Sequence, residues 1–204
     1  MAMTLTPMTE LDAVNMMLIS IGQTPVNTLS VTGIRDVAIA QTILQNTSRE
    51  VQNEGWSFNS ETDYELVPDG SDNVTVPTQA FFCDPVDHTH NFVVRDNGGT
   101  LMLYDLTDKT FTITINPLKV DVVWFYDFDE IPQYARNYIA IKAARRFQAY
   151  MVGSQILHEY TSEDELGALT LMVKVDLRAS DINILRDGDY TNQIFQRRSN
   201  PLAG

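Results

Sequence analysis

Cysteine is almost missing from these 204 residues. Cys83 stands alone, so no disulfide can form within the chain. That usage is compatible with a reducing compartment. No apolar run approaches the roughly 20 residues that a membrane helix needs, so no membrane partner is expected. The stretch Met1 to Pro7 has no basic residue and no long apolar segment, and it reads as lacking a secretory signal. Basic residues are scarce as well: 14 Lys and Arg face 27 Asp and Glu, a net charge of −13. Neutralising phosphates takes clustered Lys and Arg, so this balance argues against tight binding to a nucleic-acid backbone. The bland reading of the acidity is solubility. A sharper reading is a surface past which DNA slides without sticking. Catalytic and cofactor signatures are absent too. No Gly-x-Ser-x-Gly elbow occurs, and neither Asp69-Gly70 nor Asp96-Asn97-Gly98-Gly99 leads into a phosphate loop.

What is present is an ordinary globular balance, 44% hydrophobic and 20% charged. A chain of this size can bury a core without metals or disulfides. Helix one is predicted over residues 9–21. Thr9 and Asp12 cap its start, Leu11, Val14, Leu18 and Ile21 share a face, and Gly22 with Pro25 ends it. Helix two spans about 34–54, with the stripe Val37, Ala40, Ile43, Leu44, Thr47 and Val51, and stops at Gly55. Trp56 and Phe58 should anchor the chain where it leaves.

The middle of the chain changes to strand patterns. Strands are expected at Tyr64–Pro68, Asn91–Arg95, Thr100–Asp105, Phe111–Ile115 and Lys119–Tyr126. Asp96-Asn97-Gly98-Gly99 is the strongest hairpin signal. Residues 71–90 read as loop. Helix three, about 131–152, carries Tyr134, Tyr138, Ile139, Ile141, Ala143, Ala144 and Phe147 nearly all round, so it should be packed on several sides. Helix four is predicted from a capping box at Ser162–Glu165 to Ser180, with Leu166, Leu169, Val173 and Leu177 inward.

The expected class is α+β: an antiparallel bundle of about four helices with a mainly antiparallel β domain inserted between helices two and three. Residues 1–59 and 128–185 form the bundle, 60–127 the insertion, and 186–204 an extended tail.

Few constellations suggest chemistry. Cys83, Asp84, Asp87, His88 and His90 form the one cluster with metal-ligand residue types, but the spacing fits no standard zinc signature, so no metal is assigned. Asp127, Asp129 and Glu130 offer paired carboxylates, yet acidic residues before a helix are also what its dipole favours. Lys142, Arg145 and Arg146 form a basic turn best suited to pairing with acidic neighbours, within or between subunits. With Tyr134 and Arg136, and with Tyr190, Phe195, Arg197 and Arg198 in the tail, they make the candidate interface set.

Three separated segments carry a family resemblance: Ala13-Val14-Asn15 through Ile21-Gly22 to Pro25-Val26; then Gly55-Trp56-Ser57-Phe58-Asn59; then Tyr138-Ile139 with Lys142-Ala143-Ala144-Arg145 and Phe147. In this order, with a β segment between the second and third, the chain resembles the tail tubular protein A family, the head-to-tail adaptor of short-tailed phages, over roughly residues 9–185. The resemblance implies a structural virion protein with no enzymatic role and no cofactor. It implies a ring of about twelve copies, a heterologous closed assembly, joined to the portal protein on one side. On the other side it implies a nozzle protein of the tail tubular protein B type. Double-stranded DNA would pass through the lumen without sequence-specific contact, and assembly would take place in the host bacterial cytoplasm. Residues 186–204 are then expected to help bind the portal or a neighbouring subunit. Two other classes stand beside this: a tail-associated hydrolase of cell-envelope polymers using Asp127, Asp129 or Glu130, and a monomeric phage module that binds a host protein.

Overall fold

A computed structural model describes residues 6–30, 35–87, 89–153 and 155–179. Four helices and five strands follow the chain in the order α1 (Glu10–Ser20), α2 (Arg35–Gln52), β1 (Ser60–Leu66), β2 (Ala80–Pro85), β3 (Phe92–Asn97), β4 (Thr100–Asp105), β5 (Leu118–Trp124), α3 (Gln133–Met151) and α4 (Gln155–Ala179). The fold is mixed α+β, as expected.

Local chemistry explains both ends of α1. Thr9 caps α1 in a full capping box, its hydroxyl accepting from the Asp12 amide while the Asp12 carboxylate accepts from the Thr9 amide. Those Thr9 bonds hold the Asp12 carboxyl below the ordinary carboxylate range. Gly22 ends α1 at φ 78°, with its own amide and that of Gln23 donating to Ile19 and Leu18 carbonyls, a Schellman stop.

The helices bury one apolar cluster. Ala13, Val14, Met17 and Leu18 come from α1, Val37, Ala40, Leu44 and Val51 from α2, and Ala135, Tyr138, Ile139, Ala143 and Phe147 from α3. Each large aliphatic or aromatic side chain so buried contributes roughly 1.5–3 kcal/mol. Trp56 and Phe58 pack against this cluster, in the anchoring role expected of them.

The strands bury a second cluster around Leu66, Val74, Cys83, Leu103, Leu118 and Val120. β5 is the centre of a three-stranded antiparallel sheet, order β1-β5-β2. The chain leaving α2 and the chain returning to α3 therefore run side by side. β3 and β4 form a separate hairpin, closed by Gly98 and Gly99 at positive φ, where the sequence places it.

Three expectations are corrected. β2 lies inside the stretch read as loop; Ala80–Pro85 is held as a strand by its ladder to β5, a non-local cause. Phe111–Ile115 is not a regular strand and makes one isolated bridge, Thr112 with Asn73, next to another between Asp105 and Thr110. Its alternation marks burial, since Ile113 is buried, but no strand runs along it. Finally, α4 starts at Gln155, so Ser162–Glu165 lies within the helix, where Glu165 serves an ion pair instead. Among its described side chains Ala168 and Met172 are buried, while Leu166, Val173 and Leu177 are exposed and Leu169 is half-buried.

Candidate assembly site

Two chain passages join the helices to the strands: residues 52–60, between α2 and β1, and residues 124–132, between β5 and α3. Two buried amides lock them. Gln52 donates to Ser48 Oγ and the Tyr126 carbonyl, both at 2.9 Å, and accepts from the Tyr126 amide at 2.9 Å. Asn59 donates to the Gln52 carbonyl at 2.8 Å and to the Trp124 carbonyl at 2.7 Å, and accepts from the Trp56 amide at 2.8 Å. The Trp56 indole donates to the Val51 carbonyl. The segment Gly55–Asn59 is thus a junction, and Gln52 belongs to it although its sequence context, a polar residue just after the α2 stripe, gave no sign of that. A second clamp explains the pairing of Asn15 with Pro25-Val26: the Asn15 amide group bonds both the amide and the carbonyl of Val26, folding the loop back on α1.

The basic turn of α3 is committed within the subunit. Arg146 grips Glu50 on α2 with two nitrogens, at 2.6 and 2.8 Å, and Lys142 reaches the same carboxylate at 3.0 Å. The Arg146 bonds chiefly hold the Glu50 carboxyl down at about 2, against the opposing effect of burial. Burial pulls Lys142 down, but its bonds to Glu50 and Tyr138 outweigh that and the net shift is upward. Arg145 sits 2.9 Å from Glu165 on α4, a close ion contact lying off the hydrogen-bond axis. Arg136 is buried and donates to the carbonyls of Ile131, Met8 and Asp129. Tyr134 meets Phe58 edge to face. Tyr190, Phe195, Arg197 and Arg198 lie outside the described residues.

The Glu50 linkage carries a sign that can be checked. A carboxyl depressed in the folded state stabilises above its unfolded pKa, and that stabilisation fades as pH falls from about 4.5 towards 2. Glu50 is 48% exposed, so solvent screening reduces its worth to about 1 kcal/mol. Glu50→Gln should therefore destabilise by about that amount at pH 7, by urea unfolding, and the gap should close near pH 2. A gap that does not depend on pH would deny the linkage.

Two of the three acidic side chains, those of Asp129 and Glu130, have local partners. Asp129 accepts from the Glu10 amide at 3.0 Å and lies 3.8 Å from Arg136, while Glu130 accepts from the Asp127 amide at 3.2 Å. All three border a hollow of about 450 Å³ that also exposes Arg49 and Phe125. In the Cys83 cluster, burial and then the neighbouring Asp84 push the thiol up to about 12. His90 stacks on Phe92, and His88 lies outside the described residues. Among the described residues no three His, Cys, Asp or Glu side chains are grouped to hold a metal, and no helix is long and apolar enough to cross a membrane.

Comparison with known proteins gives two findings. Residues 11–182 match the family described as Tube, tail tubular protein. Tail tubular protein A of Klebsiella phage KP34 is 26% identical over 133 residues, covering 65% of this chain and 68% of that protein.

Proposed function

Since this chain belongs to the tail tubular protein family, and is thereby a structural protein of a phage tail, we propose that it is the ring-forming adaptor subunit that joins the portal to the tail nozzle. The observation that carries this reading is the family match, which spans 11–182 and so takes in both apolar clusters and the junction between them. The ring has about twelve copies in this reading, and its heterologous contacts need two different faces on each subunit. Helices and strands with separate cores supply distinct surfaces for that purpose.

The charge balance supports the DNA-exit part of the reading. A net −13 disfavours phosphate binding, and exposed Glu61, Asp63 and Glu65 on β1 add to the acidic surface. A lumen lined by such side chains lets DNA pass without arrest. Residues 186–204 are assigned a role in docking to the portal or a neighbour. Assembly in the host cytoplasm belongs to the same proposal.

The test is the native mass of the portal ring before and after mixing with this protein. A gain of about twelve subunits is the expected result of a closed ring. An unchanged portal mass at micromolar protein and low salt would reject the adaptor reading.

A further inference from the structure

We infer that the run 162–179 of α4 is a releasable cover on α3: it opens as a separate cooperative unit while α1, α2, α3 and the strands stay folded. This holds for the single chain, with or without a ring.

A helix in a protein is held mainly by the apolar face that it packs away. α1 buries four of its 11 side chains, α2 seven of 18 and α3 eight of 19. In the 18 residues of 162–179, only Ala168 and Met172 are buried. Leu169 packs at the edge of the core, while Leu166, Leu171, Val173 and Leu177 are exposed. Little apolar area therefore returns to water when this run lets go. The core it leaves behind is nearly complete, because every buried member of the helical cluster except Ala168 and Met172 comes from outside α4. The amides of Gln52 and Asn59 lock the junction without it.

The closed state also carries costs of its own. Arg145 on α3 approaches Glu165 at 2.9 Å, yet Glu165 Oε2 is shut off from solvent and takes no hydrogen bond. Opening returns that oxygen to water and removes the penalty. Gly167 lies inside the helix, where glycine favours the unfolded chain. Against these stands a clasp near the end of the run: Asp176 accepts from the amide and the hydroxyl of Ser57, in the passage between α2 and β1. A helix of this length released into water is marginal, so opening also breaks its backbone hydrogen bonds. Release uncovers Arg145, Ile141 and Ala144 of α3, which line the groove shared with α4. A partner that binds the open form better than the closed one draws the chain toward it.

The experiment is amide hydrogen exchange, read by mass spectrometry on the full-length protein at neutral pH. Amides of 163–179 should exchange about tenfold or more faster than those in the middle of α3. Two variants show whether the run is its own unit. Val37→Ala cuts into the core on α2, which packs on α1 and α3. It should speed exchange in α3 about tenfold or more and leave 163–179 within about twofold of wild type. Gly167→Ala adds a Cβ that meets nothing within 4 Å, so it strengthens the helix without touching a neighbour. It should slow all amides of the run by one common factor of roughly two to five. If the run and α3 exchange alike and both respond to Val37→Ala, α4 belongs to the single global unit and the inference falls. Fast exchange in the run that Gly167→Ala slows only at adjacent amides is fraying turn by turn, and it overturns the inference as well.

Discussion

Gln52→Ala should lower stability by about 3 kcal/mol, among the largest losses from any single polar replacement in this chain. The side chain is wholly buried and makes three hydrogen bonds, two of them to the backbone of Tyr126. Truncation leaves the partly buried Tyr126 amide and carbonyl without their partner, and it opens a cavity beside Ser48. Unsatisfied buried groups cost roughly 1–3 kcal/mol each, and the cavity adds to that. In a protein of this size the loss corresponds to a fall of about 6–12 °C in melting temperature. Gln52→Glu keeps the volume and tests the chemistry: one oxygen still accepts from Tyr126, but the donor to its carbonyl is gone and a charge is buried. It should be at least as damaging as the alanine. If both variants melt with wild type, the amide is not what joins α2 to the return of the chain.

Gly55→Ala should cost about 2–3 kcal/mol by two separate routes. Gly55 sits at φ 75°, a left-handed conformation that a Cβ disfavours by roughly 1–2 kcal/mol. The added carbon would also lie 3.2 Å from Val123 Cγ2 and 3.3 Å from Ser60 Oγ. Val123 is on the central strand of the sheet and is held by ladders on both sides, so it cannot give way easily. The pair of variants Gly55→Ala and Gly55→Ala with Val123→Ala separates the two causes. Relief of the clash should recover about 1 kcal/mol after correcting for the Val123→Ala change alone, while the backbone cost persists. Urea unfolding measures both. A Gly55→Ala protein as stable as wild type would mean that the corner at Gly55 is not fixed.

The two positions also show where the family pattern Gly55-Trp56-Ser57-Phe58-Asn59 gets its physical content. Gly55 supplies the left-handed corner, Trp56 and Asn59 bond across it, and Phe58 packs on Tyr134. The two passages, 52–60 and 124–132, are the covalent links between the helices and the strands.

The candidate site was legible in part. The basic turn on α3 was expected to pair with acid, and it does so within the subunit through Glu50 and Glu165. The interface role of Tyr134, Arg136, Lys142, Arg145 and Arg146 is carried forward as a proposal. Of these, Arg136 is buried and donates from all three of its nitrogens to backbone carbonyls, so it acts on a partner chiefly through the chain that it holds in place.

What the sequence determined by itself is what depends on neighbours a few residues away. The capping box at Thr9 and Asp12, the stop at Gly22, the stripe on α2 and the Gly98-Gly99 hairpin all arise from local geometry, and all appear where their residues place them. The order of helices, strands and helices follows from the same periodicities. Only the tertiary structure decided the rest. β2 exists because β5 offers it a ladder. Gln52 is a lock because Tyr126 lies beside it, 74 residues along the chain. The inward side of α4 runs through Ala168 and Met172, with Leu169 at its edge, while Leu166, Val173 and Leu177 are left outside. Periodicity measures how apolar a face is; it carries no information on which face finds a partner within the subunit.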